Sequence, residues 1–263
     1  MVFEAAGRVD RADRPSLMRL LISIDDTDNL DSPGTGELAA EIAARIQAQG
    51  WGRADFVSRH QLYVHPDIPY TSHNSAMCFT TAVERRRHRE VIDLAARFLR
   101  ETAAPGSDPG LCVVDLDALN DETALIDFGR QAKRRVLDMP AAYALAQALG
   151  IHLSEHGGTG QGVIGALAGA GLRLSGDDGR MRGTLALPPA AKILRAKDLA
   201  AVPGVDRVTA VDGTAIPPET EIALGPKVKT VWRGGRSVLL VTPTEPDSAT
   251  AWRTCSNQEL KIY

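Results

Sequence analysis

Five positions without a formal charge, Leu20-Leu21-Ile22-Ser23-Ile24, run straight into Asp25-Asp26-Thr27-Asp28. A short apolar run closed by polar residues predicts a strand buried on both faces. Turn formers occupy 29–36, and the period then changes. Leu38, Ile42 and Ile46 recur at i, i+4 and i+8 among alanines, which is one face of a helix over 37–49 that Gly50 stops. The opening unit is therefore strand, loop, helix. The same reading gives strands over 56–64 and 77–83, with the turn-rich His65-Pro66-Asp67-Ile68-Pro69-Tyr70 between them, and a basic helix over 85–100. Pro and Gly crowd 103–110 and predict a linker. A strand over 111–116, helices over 122–136 and 141–149, and a glycine-dense stretch over 157–171 follow. Beyond Met181 the pattern turns to short β runs, notably 228–232 and 237–241, with Gly234-Gly235 as a hairpin turn. The expected class is α/β with α+β character. The expected division is one domain over 18–104 and a second over 109–263 with a β-rich end.

Composition narrows this little. Of 263 residues, 44% are hydrophobic and 24% charged, the mixture of a chain with a real core. A net charge of −3 and a pI near 6.1 exclude bulk electrostatic coating of nucleic acid but leave a local basic patch open. Cys78, Cys112 and Cys255 are far apart and odd in number, so buried reduced thiols are expected. No run approaches the ~18 apolar residues of a membrane span. The first 17 residues carry both charge signs without an apolar core, unlike a secretory signal. Met18, just ahead of the first strand, is an alternative start. The expected compartment is the cytoplasm.

The acidic loop carries the chemistry. Three carboxylates in four residues repel one another unless a cation is near, and Mg2+ favours carboxylate together with phosphate oxygens. Gly34-Thr35-Gly36 opens the following helix, whose free N–H groups and positive end suit phosphate. Glu37 adds a further carboxylate. The competing explanation is that these aspartates are turn formers and caps. No Walker A sequence occurs.

Two other spellings lack their context. Gly160-Gln161-Gly162-Val163-Ile164-Gly165 matches a dinucleotide fingerprint without a strong preceding strand, so it predicts a glycine-rich helix entry. His152-Leu153-Ser154-Glu155-His156 matches an inverted zinc-peptidase motif, yet Gly150 and Gly157-Gly158 leave too short a helix, so exposed loop histidines are expected. Arg85-Arg86-Arg87 and Arg89 read as a solvated helix end. Trp232 and Trp252 read as packing residues of the β-rich end.

Taken in order, these motifs resemble those of the archaeal tRNA-isoleucine 2-agmatinylcytidine (agmatidine) synthetases. The resemblance rests on Ile24-Asp25-Asp26-Thr27-Asp28, on His65-Pro66-Asp67-Ile68-Pro69-Tyr70, on Asn74, and on Gly160-Gln161-Gly162-Val163-Ile164-Gly165-Ala166-Leu167-Ala168. It covers roughly residues 19–175. It implies a kinase-like domain followed by a ferredoxin-like one, and ATP-dependent activation of a tRNA cytidine followed by attack of agmatine. Three features depart from the family. Its Lys-Thr-Arg is here Thr71-Ser72-His73, its threonine pair ahead of the first helix is here Gly36-Glu37 with only Thr35 nearby, and its cysteine-bearing zinc ribbon has no counterpart in this sequence.

The resulting expectation is an ATP- and Mg-dependent enzyme that transfers a phosphoryl group to an acceptor oxygen, with an amine attacking afterwards. Asp25 and Asp26 would hold the metal, and Asp28 would orient water or the acceptor. Thr27, Gly34, Thr35, Gly36, Gly160 and Gly162 would contact the nucleotide. His73 and Asn74 would contact substrate or phosphate. The departures favour a small acceptor over tRNA. A binding module without turnover, or a tRNA-binding protein working with a partner, are the alternatives.

Overall fold

The computed structural model describes residues 16–68 and 74–263. The apolar run becomes β1 (Leu17–Asp25), the middle strand of an antiparallel array. On one side it pairs with β4 (Ser75–Glu84), which in turn pairs with β2 (Gly52–Ala54) and β3 (Ser58–Gln61). On the other side it pairs with β5 (Gly110–Asp115), and β5 with β6 (His152–Glu155). The stretch expected as a linker, 103–110, leads directly into β5, in a register that sets Gly110 opposite Asp25.

Strand alternation explains the layers. Leu20, Ile22 and Ile24 face α1 (Thr35–Ala48) and α2 (His88–Thr102), joined there by Phe79, Val83, Leu111 and Val113. The α1 positions read from the 3.6 period, Leu38, Ile42 and Ile46, are all buried in that layer. Leu21, Cys78, Cys112 and Val114 face the other way, toward α3 (Glu122–Ala132), α4 (Met139–Leu149) and α5 (Gly162–Leu174).

Glycine sets how closely α5 approaches. A methyl at Gly162 would strike the backbone of Asp108, and one at Gly169 would press on Ala76, Ser23 and Cys78. On the flank, Gly129 and Gly171 let α3 and α5 lie backbone to backbone. The glycine stretch is thus a packing device as well as a helix entry.

The β-rich end comprises β7 (Arg180–Met181), β8 (Ile193–Arg195), β9 (Arg207–Ala210), β10 (Glu221–Ala223), β11 (Val231–Arg233), β12 (Arg236–Pro243) and β13 (Trp252–Thr254), with α6 (Ala196–Ala200). Its core includes Leu199, Ile222, Leu239 and Val241. Gly234 and Gly235, both left-handed (φ 56° and 66°), make the β11–β12 hairpin turn. β7 joins this end to the first array by pairing with β3 and β11. Parallel pairs β9–β12 and β10–β13 make the sheet mixed, so the architecture is α/β with α+β character.

Some expectations change. The His152 to His156 segment is a strand edge, with both histidines half-buried and Ser154 Oγ 2.9 Å from an Nε2 of each. Pairing with β5 holds it extended. The helix expected over 122–136 ends at Ala132, and α4 starts afresh at Asp138, which caps it by accepting from the Ala141 N–H (2.8 Å). Trp232 packs where the two halves meet, 3.8 Å from the Arg173 guanidinium and donating Nε1–H to the Arg173 carbonyl. Arg85 to Arg87 form a 3-10 turn paired with Asp115, Glu84 and Glu90. The three cysteines are buried and unpaired. Among the described residues no helix is long and apolar enough to cross a membrane.

Candidate active site

Asp25 ends β1 on the α5 side, on the same face as Leu21 and Ser23. A helix with ordinary side chains would fill the space its carboxylate occupies. Gly165 leaves it open, since a methyl there would collide with Asp25 Oδ2. Asp26 adopts a left-handed conformation (φ 51°), which Asp tolerates better than most residues. Its N–H donates to the Asp25 carboxylate, and its own carboxylate accepts from the Asp108 N–H. Asp28 accepts a 2.8 Å hydrogen bond from Thr35 Oγ1, which fixes the loop to the first residue of α1.

The electrostatics are unfavourable without a cation. Burial, then the negative charges of Asp26 and Asp28, push the Asp25 carboxyl up to about 8. Burial and the charges of Asp108 and Asp28 push Asp26 up to about 6. No basic group enters among the causes acting on either residue.

These groups line one cleft of about 240 Å3. Gly34, Thr35 and Gly36 bring the start of α1 to its wall, and Gln161 and Gly162 bring the start of α5. Neither helix has a side-chain cap, so two positive helix ends open beside the aspartates. Ile68, Met77 and Val136 add apolar surface.

Of the residues singled out in the sequence, Asp25, Asp26, Asp28, Gly34, Thr35, Gly36, Asn74 and Gly162 meet here. Asn74 is held by donating Nδ2–H to the Tyr63 carbonyl (2.7 Å). Thr27 lies beneath the loop, fully buried, its carbonyl accepting from the Ala104 N–H (3.0 Å). Gly160 is left-handed and packs on the Glu155 carboxylate, outside the lining. His73, with Pro69, Tyr70, Thr71 and Ser72, lies outside the described residues.

The cleft also holds residues that the sequence reading passed over. Asp108, from the expected linker, is a fourth carboxylate, and its side chain accepts from Thr159 Oγ1 (2.6 Å). Arg59 and Arg135 supply cations, Arg59 anchored by donating Nε–H to Ser75 Oγ (3.0 Å). The signal for Asp108 was the strand expected at 111, whose pairing beside β1 carries 108–110 to Asp25.

An antiparallel array of β1 to β6 between helical layers, with an acidic strand end facing two helix N-termini, defines the α/β class of the first part of the chain. The fold is like that of TiaS, the agmatidine synthetase that acts on an isoleucine tRNA. Apo TiaS is 28% identical at a TM-score of 0.51, matching 59% of this chain and 35% of its own. The TiaS complex with that tRNA and ATP is 29% identical at a TM-score of 0.52, over 59% of this chain and 36% of that one. A TiaS complex with the tRNA, AMPCPP and agmatine aligns over 77% of this chain and 50% of its own, at 23% identity and a TM-score of 0.51. The chain thus spans 35 to 50% of the length of these solved chains. No family model and no curated protein sequence matches it.

Proposed function

We propose that the chain is an ATP- and Mg2+-dependent enzyme of the TiaS type, which activates an acceptor oxygen of a tRNA nucleoside by phosphoryl transfer before an amine attacks. The observation that carries this reading is the pair Asp25 and Asp26, side by side at the strand end in the cleft and raised to about 8 and about 6 by burial first and then by the neighbouring carboxylates. Such a pair is comfortable as dianion only beside a cation, and the two uncapped helix ends alongside favour phosphate. Among the described residues no three His, Cys, Asp or Glu side chains converge into a protein-only metal site. Mg2+ does not require one, since it keeps waters and takes phosphate oxygens along with one or two carboxylates. Bound there, Mg2+ would neutralise charge on the triphosphate during transfer.

The chain's own residues would do the positioning. Asp25 and Asp26 would hold the ion, and Thr35 would keep Asp28 at its edge. The N–H groups opening α1 would meet phosphate oxygens, with Arg59 and Arg135 adding positive charge. Asn74 would face the acceptor. The related TiaS structure with bound tRNA and ATP supports tRNA as the acceptor. That shifts the balance from the smaller acceptor favoured by the sequence departures.

The test is a calorimetric titration of ATP into wild type and Asp25→Asn, with and without Mg2+. Binding that needs both Mg2+ and Asp25 is the expected result. Absence of ATP binding by the wild type, or equal binding by the variant, would overturn the reading.

A further inference from the structure

Beside the cleft, one face of the sheet gathers cations from β3, β7 and the segment that precedes β11. In β3, Ser58 and His60 are buried while Arg59 between them faces outward. β7 alternates likewise, Arg180 and Arg182 flanking the buried Met181. In the segment 227–230 leading into β11, Lys227 and Lys229 alternate with buried Val228 and Thr230. Arg59 and Arg180 are direct cross-strand partners. The Met181 N–H donates to the Thr230 carbonyl (2.9 Å), which sets Lys229 beside the arginines. Arg59 lines the cleft, and Arg182 lies against Gly36 at the start of α1. The cationic face is therefore continuous with the acidic cleft.

Like charges opposite one another destabilise a sheet. Among the described residues these five cations make one ion pair, Arg182 with Glu37 at 3.9 Å. The Lys229 ammonium is held below its usual range by burial, then by Arg180, Arg59, Lys227 and Arg182. Such a cluster calls for an anion. Two strands and the segment hydrogen-bonded beside them span about 10 Å at ~4.8 Å spacing, wider than one phosphate group and suited to successive phosphates of a strand. The chain's net charge of −3 means that the attraction is local to this face.

We infer that Arg59, Arg180, Arg182, Lys227 and Lys229 form a track for the phosphate backbone of the RNA strand that enters the Asp25 cleft. The inference rests on the reading of the chain as an RNA-modifying enzyme, and it assigns backbone binding to residues within this chain. Phosphate contacts of this kind set position and register and carry no sequence information.

The test uses Arg180 and Lys229, both outside the cleft lining. Anisotropy of a labelled single-stranded RNA oligonucleotide is followed from about 50 to 200 mM salt for wild type and for Arg180→Ala/Lys229→Ala. The double variant should bind more weakly, with a log–log salt slope reduced by about 1.4, at ~0.7 per cation lost on a single strand. Arg180→Lys/Lys229→Arg should keep the wild-type slope. ATP–Mg2+ titration of the alanine variant should match wild type, and its melting temperature should be no lower, since two mutually repelling cations are removed; that separates loss of the track from misfolding. An RNA affinity and slope unchanged in the alanine variant, or a wild type that binds no RNA, would overturn the track. A parallel fall in ATP affinity would also overturn it, assigning these cations to the nucleotide. Wild-type ATP binding alone checks the enzymatic reading, so the two can fail separately.

Discussion

Replacing Asp25 with asparagine should remove a function and add stability. The Asp25 carboxyl is ordinarily near 3.8 and is raised to about 8 in the folded protein. The sign follows directly. A folded pKa above the unfolded one means that the native state holds the proton more tightly. The contribution of Asp25 to wild-type stability therefore falls as pH rises from about 4 to about 8 and levels off above that. At pH 7 the unfolded carboxyl is ionised while the native one is mostly protonated. The unfolded carboxyl, at 3.8, lies about 3 units below pH 7, and that gap corresponds to at most about 4 kcal/mol. Asparagine keeps the shape without that penalty, while offering a weaker acceptor to the Asp26 N–H. A net gain of roughly 1–4 kcal/mol near neutral pH, or several degrees in Tm, is expected for a chain of this size. Scanning calorimetry of both proteins without nucleotide, at pH 4, 6 and 8, reads it. The gain should be smallest at pH 4 and largest at pH 8. A variant less stable than wild type at pH 8, or a gain independent of pH, would show that Asp25 is not a strained carboxylate.

Two further outcomes follow from packing. Gly165→Ala places a methyl in the Asp25 carboxylate; overpacking of about 1–3 kcal/mol should outweigh the helix propensity gained, and calorimetry should show Mg2+-dependent ATP affinity lost. An alanine variant with wild-type affinity would mean that the carboxylate has room to move. Ile42→Ala empties a fully buried site between α1 and the sheet; urea unfolding should show a loss of about 2–5 kcal/mol, while a loss under ~1 kcal/mol would contradict the packing described.

The first half of the fold was legible because its signals are local. β1 is one apolar run, α1 one 3.6-residue face, and Asp25 to Asp28 stand together in sequence. The rest depends on pairing across long separations. Asp108 reaches the cleft only through the β1–β5 register, which puts Gly110 opposite Asp25. No local pattern marks residue 108 as more than part of a Pro- and Gly-rich turn. The cationic face is assembled from positions 59, 180, 182, 227 and 229, so no single segment looks basic. β6 is four residues long, and its extended form comes from its neighbour in the sheet. In that strand the histidine spelling suggested a helical motif or a loop because local sequence does not encode the partner.

The glycines of α5 carry a consequence for how the protein assembles. Gly162, Gly165, Gly169 and Gly171 fall within one helix of 13 residues. Each costs about 1 kcal/mol of helicity relative to alanine, so the isolated segment would be mostly coil. Its helicity comes from the surfaces it touches, namely the sheet through Gly162 and Gly169, and α3 through Gly171. The wall that Gly162 and Gly165 give to the cleft is therefore a tertiary object, present only after β1, β4 and β5 have paired.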